Sequence, residues 1–142
     1  MSSGYIPKAL RRRLRSESGR RCAYCRSSEA ITGMPLEADH IIPRARGGKT
    51  TFKNLCLACS RCNEYKSDRA EAVDPATGEA APLFNPRTQA WHEHFQWSRD
   101  GSEIAGLTLS GRATVEALRL NNEEIVAARL IWIAVGLHPP SE

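Results

Sequence analysis

No stretch of 18 or more apolar residues occurs in the 142-residue chain, so no membrane-spanning helix is expected. The most apolar run, Ile125 to Val135, has only 11 residues and includes Arg129. The basic N-terminus lacks the apolar centre of a signal peptide, which points to the cytoplasm. Internal repeats and low-complexity segments are absent, which argues against a solenoid and against a long disordered tract. Acidic residues are scarce in the first half. Residues 1–69 carry 15 Lys/Arg against 6 Asp/Glu, residues 70–142 carry 5 against 10, and the net charge is +4. Positive charge gathered on one half suits a polyanionic partner, most commonly nucleic acid, although a solvated basic surface gives the same count.

What remains is an ordinary globular composition, 41% hydrophobic and 25% charged, enough for one compact domain or a small module with an extension. Pro7, Ile6, Leu10, Leu14 and Gly19 mark a basic helix over residues 7–18. Leu36 to Pro43 reads as a strand supported by Ile41-Ile42. Arg44 to Thr51 is a basic loop, Asn54 to Cys59 an apolar stretch, and Ser60 to Arg69 a short helix. Residues 72–90, with four prolines and glycines, read as a connector. Trp91 to Trp97 and Glu103 to Leu109 flank Asp100-Gly101 as a hairpin. In strand alternation, Trp91, Phe95 and Trp97 share one face and His92 and His94 the other. Residues 111–120 and 122–135 read as helices, the second buried, with Asn121 or Asn122 as its cap. The expected division is 1–70 and 71–142.

Five cysteines in a chain without secretory features argue for metal rather than disulfides. Cys22-x-x-Cys25 and Cys59-x-x-Cys62 offer four thiolates, the closed tetrahedral set of structural zinc. Thirty-three residues separate the pairs, room for a functional hairpin between two knuckles. Cys56-x-x-Cys59 is an overlapping pair. Cys62 is preferred as the ligand, with Cys56 a small core residue.

Asp39-His40 lies between these pairs. Asp39 is a hard oxygen ligand for Mg²⁺ or Mn²⁺. His40 has a side chain suited to taking a proton from water near neutral pH. Asn54 is placed to orient the imidazole, Asn63 to give the metal a second oxygen, and Lys66 to face a phosphate. Glu37 shares the face of Asp39 and reads as a supporting charge. Neighbouring strand residues point to opposite faces, so the backbone must be irregular at Asp39-His40, or the substrate must sit at the strand end. Arg44, Arg46 and Lys49 flank the hairpin as candidate phosphate contacts, with the Arg11–Arg15 run as a further one. His92 and His94 lack the spacing of a metal site, and the Trp91 face suits a core better than base stacking.

The set Cys22-x-x-Cys25, Asp39-His40-Ile-Ile-Pro43, Gly47-Gly48, Asn54-Leu55, Cys59-x-x-Cys62-Asn63-x-x-Lys66 resembles the HNH endonucleases. The resemblance covers about residues 20–69. It implies an α+β protein with a small ββα-metal, treble-clef-like core and a structural zinc. Around that core would lie the basic N-terminal helix and a C-terminal β-hairpin with two helices. It further implies His40 as general base, Asp39 and Asn63 on a catalytic divalent metal, Asn54 orienting His40, and DNA as partner. Hydrolysis would leave a 5′ phosphate. The segments Phe84-Asn-Pro-Arg87, Trp91-His-Glu-His-Phe95 and Gly111-Arg-Ala-Thr114 resemble an extension on some bacterial HNH proteins. A zinc-dependent DNA-binding module without chemistry also explains the cysteines and the charge. Base specificity and oligomeric state leave no mark in the sequence.

Overall fold

The computed structural model describes residues 5–141. The chain folds as two compact units, one from the N-terminal part through Ala70 plus Asn85–Gln89, the other from Glu71–Phe84 and the chain from Ala90 onward. Helices alternate with three two-stranded antiparallel sheets, a mixed α+β architecture. No helix among the described residues is long and apolar enough to cross a membrane.

The first unit begins with α1 (Lys8–Ser18), entered from Pro7 and closed by Gly19 in the left-handed region at φ 65°. That ending suits glycine, which has no Cβ to clash there. Leu14 is fully buried, and with Ile6 it packs on Ala38, Leu55 and Leu57. Burying such a leucine stabilises by roughly 1.5–3 kcal/mol. A one-turn helix, α2 (Glu29–Thr32), is capped by Ser28, whose hydroxyl accepts from the Ala30 amide. β1 (Glu37–His40) pairs with β2 (Leu55–Ala58), with Asp39 opposite Cys56 and His40 opposite Leu55. α3 (Ser60–Lys66) follows at once, completing a ββα unit.

Glu29 ties this unit together. Its carboxylate accepts from Arg15 at 3.0 and 3.1 Å, from Arg20 at 3.0 and 3.1 Å, and from the Leu36 amide at 2.8 Å. One side chain thus joins α1 to the start of β1. The Arg15 guanidinium, with that amide, holds the carboxyl down at about 2. Arg87 makes a second tie from Asn85–Gln89: it donates to the Leu55 carbonyl at 2.6 Å and pairs with Glu17 at 2.8 Å.

In the second unit, the expected connector contains a hairpin of β3 (Glu71–Val73) and β4 (Ala80–Pro82). Asp74 makes its turn, accepting from the Ala76 amide and the Thr77 hydroxyl. Arg112 bonds both oxygens of the same carboxylate and holds it well below the usual carboxylate range. Trp91–His94 is one helical turn, α4, and only Phe95–Trp97 is a strand, β5. This corrects the reading of Trp91 to Trp97 as one strand. Helical spacing also brings Trp91 to Phe95, with ring centroids 5.1 Å apart. β5 pairs with β6 (Ile104–Gly106), and α5 (Leu109–Ala117) follows, capped by Thr108.

α6 (Glu123–Ala134) starts at the Asn122 cap as expected, but it is not buried. Leu130 is 48% exposed and Ile131 66%, while Arg129 is fully buried. The inversion follows from what Arg129 reaches, the carbonyls of Ser102 and Leu120 and the Asn121 side-chain oxygen. A buried guanidinium needs such acceptors, and satisfying them turns the apolar face outward.

Candidate active site

The four cysteines converge. The sulfurs of Cys22, Cys25, Cys59 and Cys62 all lie within 4.8 Å of one another. Each knuckle is shaped by amides donating to its first sulfur. The Tyr24 and Cys25 amides point at Cys22 Sγ and the Cys62 amide at Cys59 Sγ. Four soft donors in that space fit a tetrahedral ion of the zinc type. Burial pushes the Cys22 thiol up, while hydrogen bonds from neighbouring thiols pull Cys25 down. Cys56 lies apart, 3.7 Å from the Tyr24 hydroxyl, with its thiol pushed up by burial.

The first knuckle also reaches the hairpin. The Ala23 amide donates to the Leu57 carbonyl at 2.9 Å. This places the next residue, Tyr24, beneath Asp39, and its hydroxyl donates to Asp39 Oδ2 at 3.1 Å. Neither Tyr24 nor Thr50, described below, was singled out from the sequence. The tyrosine stands inside the Cys-x-x-Cys turn, and the threonine directly follows Gly47-Gly48-Lys49. Position beside those motifs was the available signal.

β1 and α3 meet along a seam of two rungs. Residues i and i+2 of the strand share a face, as do i and i+3 of the helix. Asn63 Nδ2 donates to Glu37 Oε1 at 2.8 Å, and Lys66 Nζ lies 3.3 Å from Asp39 Oδ2. The seam is nearly dry at Asp39 and Lys66, each 1% exposed. Burial raises the Asp39 carboxyl, with Lys66 and Tyr24 pulling the other way. Both contacts are made to Oδ2, so Oδ1 is the carboxylate oxygen that could meet a cation. Asn63 Oδ1 is buried with no hydrogen-bond partner.

Lys66 therefore departs from the expectation that it faces a phosphate. It pairs with Asp39, and its ammonium also donates to the His40 carbonyl at 2.9 Å. A buried lysine without an anion would pay a large desolvation cost, and the seam supplies the anion. Arg44, Arg46 and Lys49 are exposed, as phosphate contacts require.

His40 goes the other way. Pairing stays regular through His40–Leu55, so the backbone irregularity that would aim the Asp39 and His40 side chains together is not found. His40 shares its face with Ala38 and Leu55. It is the last residue of β1, the strand-end position that remains open to the pair. Its Nε2 lies 2.9 Å from Thr50 Oγ1. Burial lowers its pKa, Arg44 and Lys66 add to the fall, and Asp39 opposes it. A lowered value keeps the imidazole neutral, the form that accepts a proton.

Asn54 does not orient that ring through any of its side-chain hydrogen bonds. Its oxygen accepts from the Ile42 amide, and its nitrogen donates to the Ile42 and Lys49 carbonyls, at 2.8, 2.9 and 3.0 Å. It therefore pins the two ends of the basic loop. Gly48 lies against the same point, where a Cβ would stand 1.7 Å from the Ile42 oxygen. Thr50, the partner of His40, follows directly on Lys49, whose carbonyl Asn54 holds.

Residues 22–69 match the family model described as HNH endonuclease. These residues form an HNH domain. The match runs from the first zinc-type cysteine to just beyond α3, and α1 and the second unit lie outside it. Within the chain, 53 residues are 47% identical to the CRISPR-associated endonuclease Cas9 of Corynebacterium diphtheriae. That alignment covers 37% of this chain and 5% of the Cas9 protein, so the likeness concerns the HNH domain alone. No solved structure matches the chain.

Proposed function

We propose that the HNH domain is a metal-dependent endonuclease that hydrolyses DNA phosphodiester bonds. The carrying observation is Asn63 Oδ1, a buried acceptor without a partner on the seam that holds Asp39. Leaving such an atom unsatisfied costs about 1–3 kcal/mol, and a hard cation would satisfy it together with the Asp39 carboxylate. Asp39 and Asn63 would hold Mg²⁺ or Mn²⁺, which when bound supplies positive charge against the phosphate oxygens. Cys22, Cys25, Cys59 and Cys62 would hold zinc as a structural ion.

The chain's own residues then divide the work. Neutral His40 takes a proton from water as its oxygen attacks phosphorus. The bond from phosphorus to the 3′ oxygen breaks, and that oxygen takes a proton from solvent, leaving a 5′ phosphate and a 3′ hydroxyl. Thr50 fixes the imidazole, and Asn54 fixes the loop that carries Thr50. Tyr24 and Lys66 hold the Asp39 carboxylate in one orientation. Arg44, Arg46 and Lys49 engage the flanking phosphates. One such site cuts one strand per engagement, so a double-strand break needs two engagements or two subunits.

One observation favours a second reading, a catalytically inactive zinc-dependent DNA-binding module. His40 is only 1% exposed, a closed position for a base that must meet water. Supercoiled plasmid incubated with the protein and Mg²⁺ or Mn²⁺ separates the two. The nuclease converts it to nicked circles that DNA ligase reseals, because the ends are 5′ phosphate and 3′ hydroxyl. Binding with no conversion under either ion supports the module.

A further inference from the structure

Seven basic residues lie between Lys8 and Arg21, against the single acid Glu17. None of them falls within the HNH match. On α1, Arg11, Arg12, Arg13 and Arg15 are exposed, as is Arg20 just past its end. A solvated face of loose side chains would explain exposure but not order, and four of these arginines are held, Arg11 by the Ile6 carbonyl at 3.2 Å. Arg15 and Arg20 share the Glu29 carboxylate yet stay 44% and 64% exposed. The guanidinium of Arg13 lies 3.7 Å over the Phe52 ring, with Arg87 4.1 Å from it. One carboxylate balances one guanidinium, so the clamp keeps a net positive charge with N–H groups turned outward. Arg12, Arg13, Arg15, Ser16 and Arg20 line an open groove of about 650 Å³.

Arg13 links this groove to the loop between β1 and β2 through its contact with Phe52. Phe52, beneath Arg13, stands two residues after Thr50, the partner of His40. Two residues span at most ~7 Å of backbone, about two nucleotide rises along a duplex axis. A strand lying with a phosphate at His40 thus brings the next phosphates toward α1. Planar, fixed guanidinium groups match phosphate oxygens better than they match a diffuse anionic surface.

We propose that the arginine face of α1, extended by Arg20, is a docking surface for the DNA phosphate backbone beside the cutting site. The inference rests on the nuclease reading for what the docked strand is. Arg12 carries the test, because it has no ion pair or hydrogen bond among the described residues.

Binding of a short duplex is followed by fluorescence anisotropy from 50 to 200 mM salt, without divalent ion. Each lost phosphate contact flattens the slope of log K against log salt by about 0.9. Arg12→Gln with Arg13→Gln is expected to flatten it by about 1.8, and Arg12→Gln alone by about 0.9. If the lines meet at 1 M salt, the double variant binds roughly 60-fold more weakly at 0.1 M. Lysine at both positions keeps the slope. An unchanged slope in the single and double glutamine variants, with zinc content and unfolding temperature retained, overturns the proposal. So does loss of binding to phosphatidylserine vesicles with DNA affinity intact, which would make the partner a membrane. Protein that shows the slope change but never cuts supports the docking surface and overturns the nuclease reading. Protein that cuts while its slope ignores these arginines overturns the docking surface alone.

Discussion

Lys66→Met keeps the length of the side chain and removes its ammonium. In the folded protein, that ammonium lies 3.3 Å from Asp39 Oδ2 and donates to the His40 carbonyl at 2.9 Å. Both charged groups are 1% exposed, so water cannot replace what is lost. Breaking a buried pair from one side costs about 3–5 kcal/mol. The Tyr24 hydroxyl remains on Oδ2, which places the expectation near the lower end, at about 3 kcal/mol. For a chain of this length that lowers the unfolding temperature by roughly 6–12 °C. Differential scanning calorimetry on zinc-loaded protein reads the change. Asp39→Asn added to Lys66→Met should recover much of the loss, because the orphaned charge is gone. A drop under about 2 °C, or a double variant no more stable than Lys66→Met, would refute the pairing of these groups in a dry seam.

The zinc ligands predict a contrast: Cys62→Ser protein should purify with less than stoichiometric zinc, and Cys56→Ser with a full equivalent by elemental analysis. Glu29→Gln should destabilise the first unit, and the difference should depend on pH. The Glu29 carboxyl sits at about 2 when folded against an ordinary value of about 4.3. Its stabilisation is therefore complete above that ordinary value and is lost as pH falls through 2. Chemical unfolding should show the gap between wild type and Glu29→Gln closing between about pH 4 and pH 2; a gap constant across that range contradicts the clamp. Gly48→Ala forces a Cβ into the Ile42 carbonyl, so amide exchange should accelerate at Ile42, whose N–H donates to Asn54, and at Gly47, whose N–H donates to Arg44, while zinc content stays unchanged.

The sequence made the four-cysteine frame easy to read because its signals are local. Cys22-x-x-Cys25 and Cys59-x-x-Cys62 are tight turns, and their spacing alone places the sulfurs. Asp39, His40 and Asn63 were likewise marked by residue type and by position beside those turns. Lys66 was misread for a different reason. Helical spacing says which residues share a face, not whether the opposing surface is solvent or a carboxylate. Asn54 was assigned a side-chain partner, yet its bonds go to the backbone of Ile42 and Lys49, which residue types do not reveal. The grouping of Trp91 with Phe95 fitted two periodicities, and local hydrogen bonding chose the helical turn. In α6, apolar content suggested burial, but the carbonyl partners of Arg129 fixed which face turned inward.

The most direct test of the central claim is the single-turnover rate of plasmid nicking by His40→Ala beside wild type, at saturating DNA and with Mg²⁺ or Mn²⁺. Zinc content and unfolding temperature are matched first. Loss of a general base should slow the step by about 10²–10⁴-fold while DNA affinity stays within a factor of about two. Equal nicking rates in the two proteins would contradict the assignment of His40, and with it the account of how this site cuts DNA.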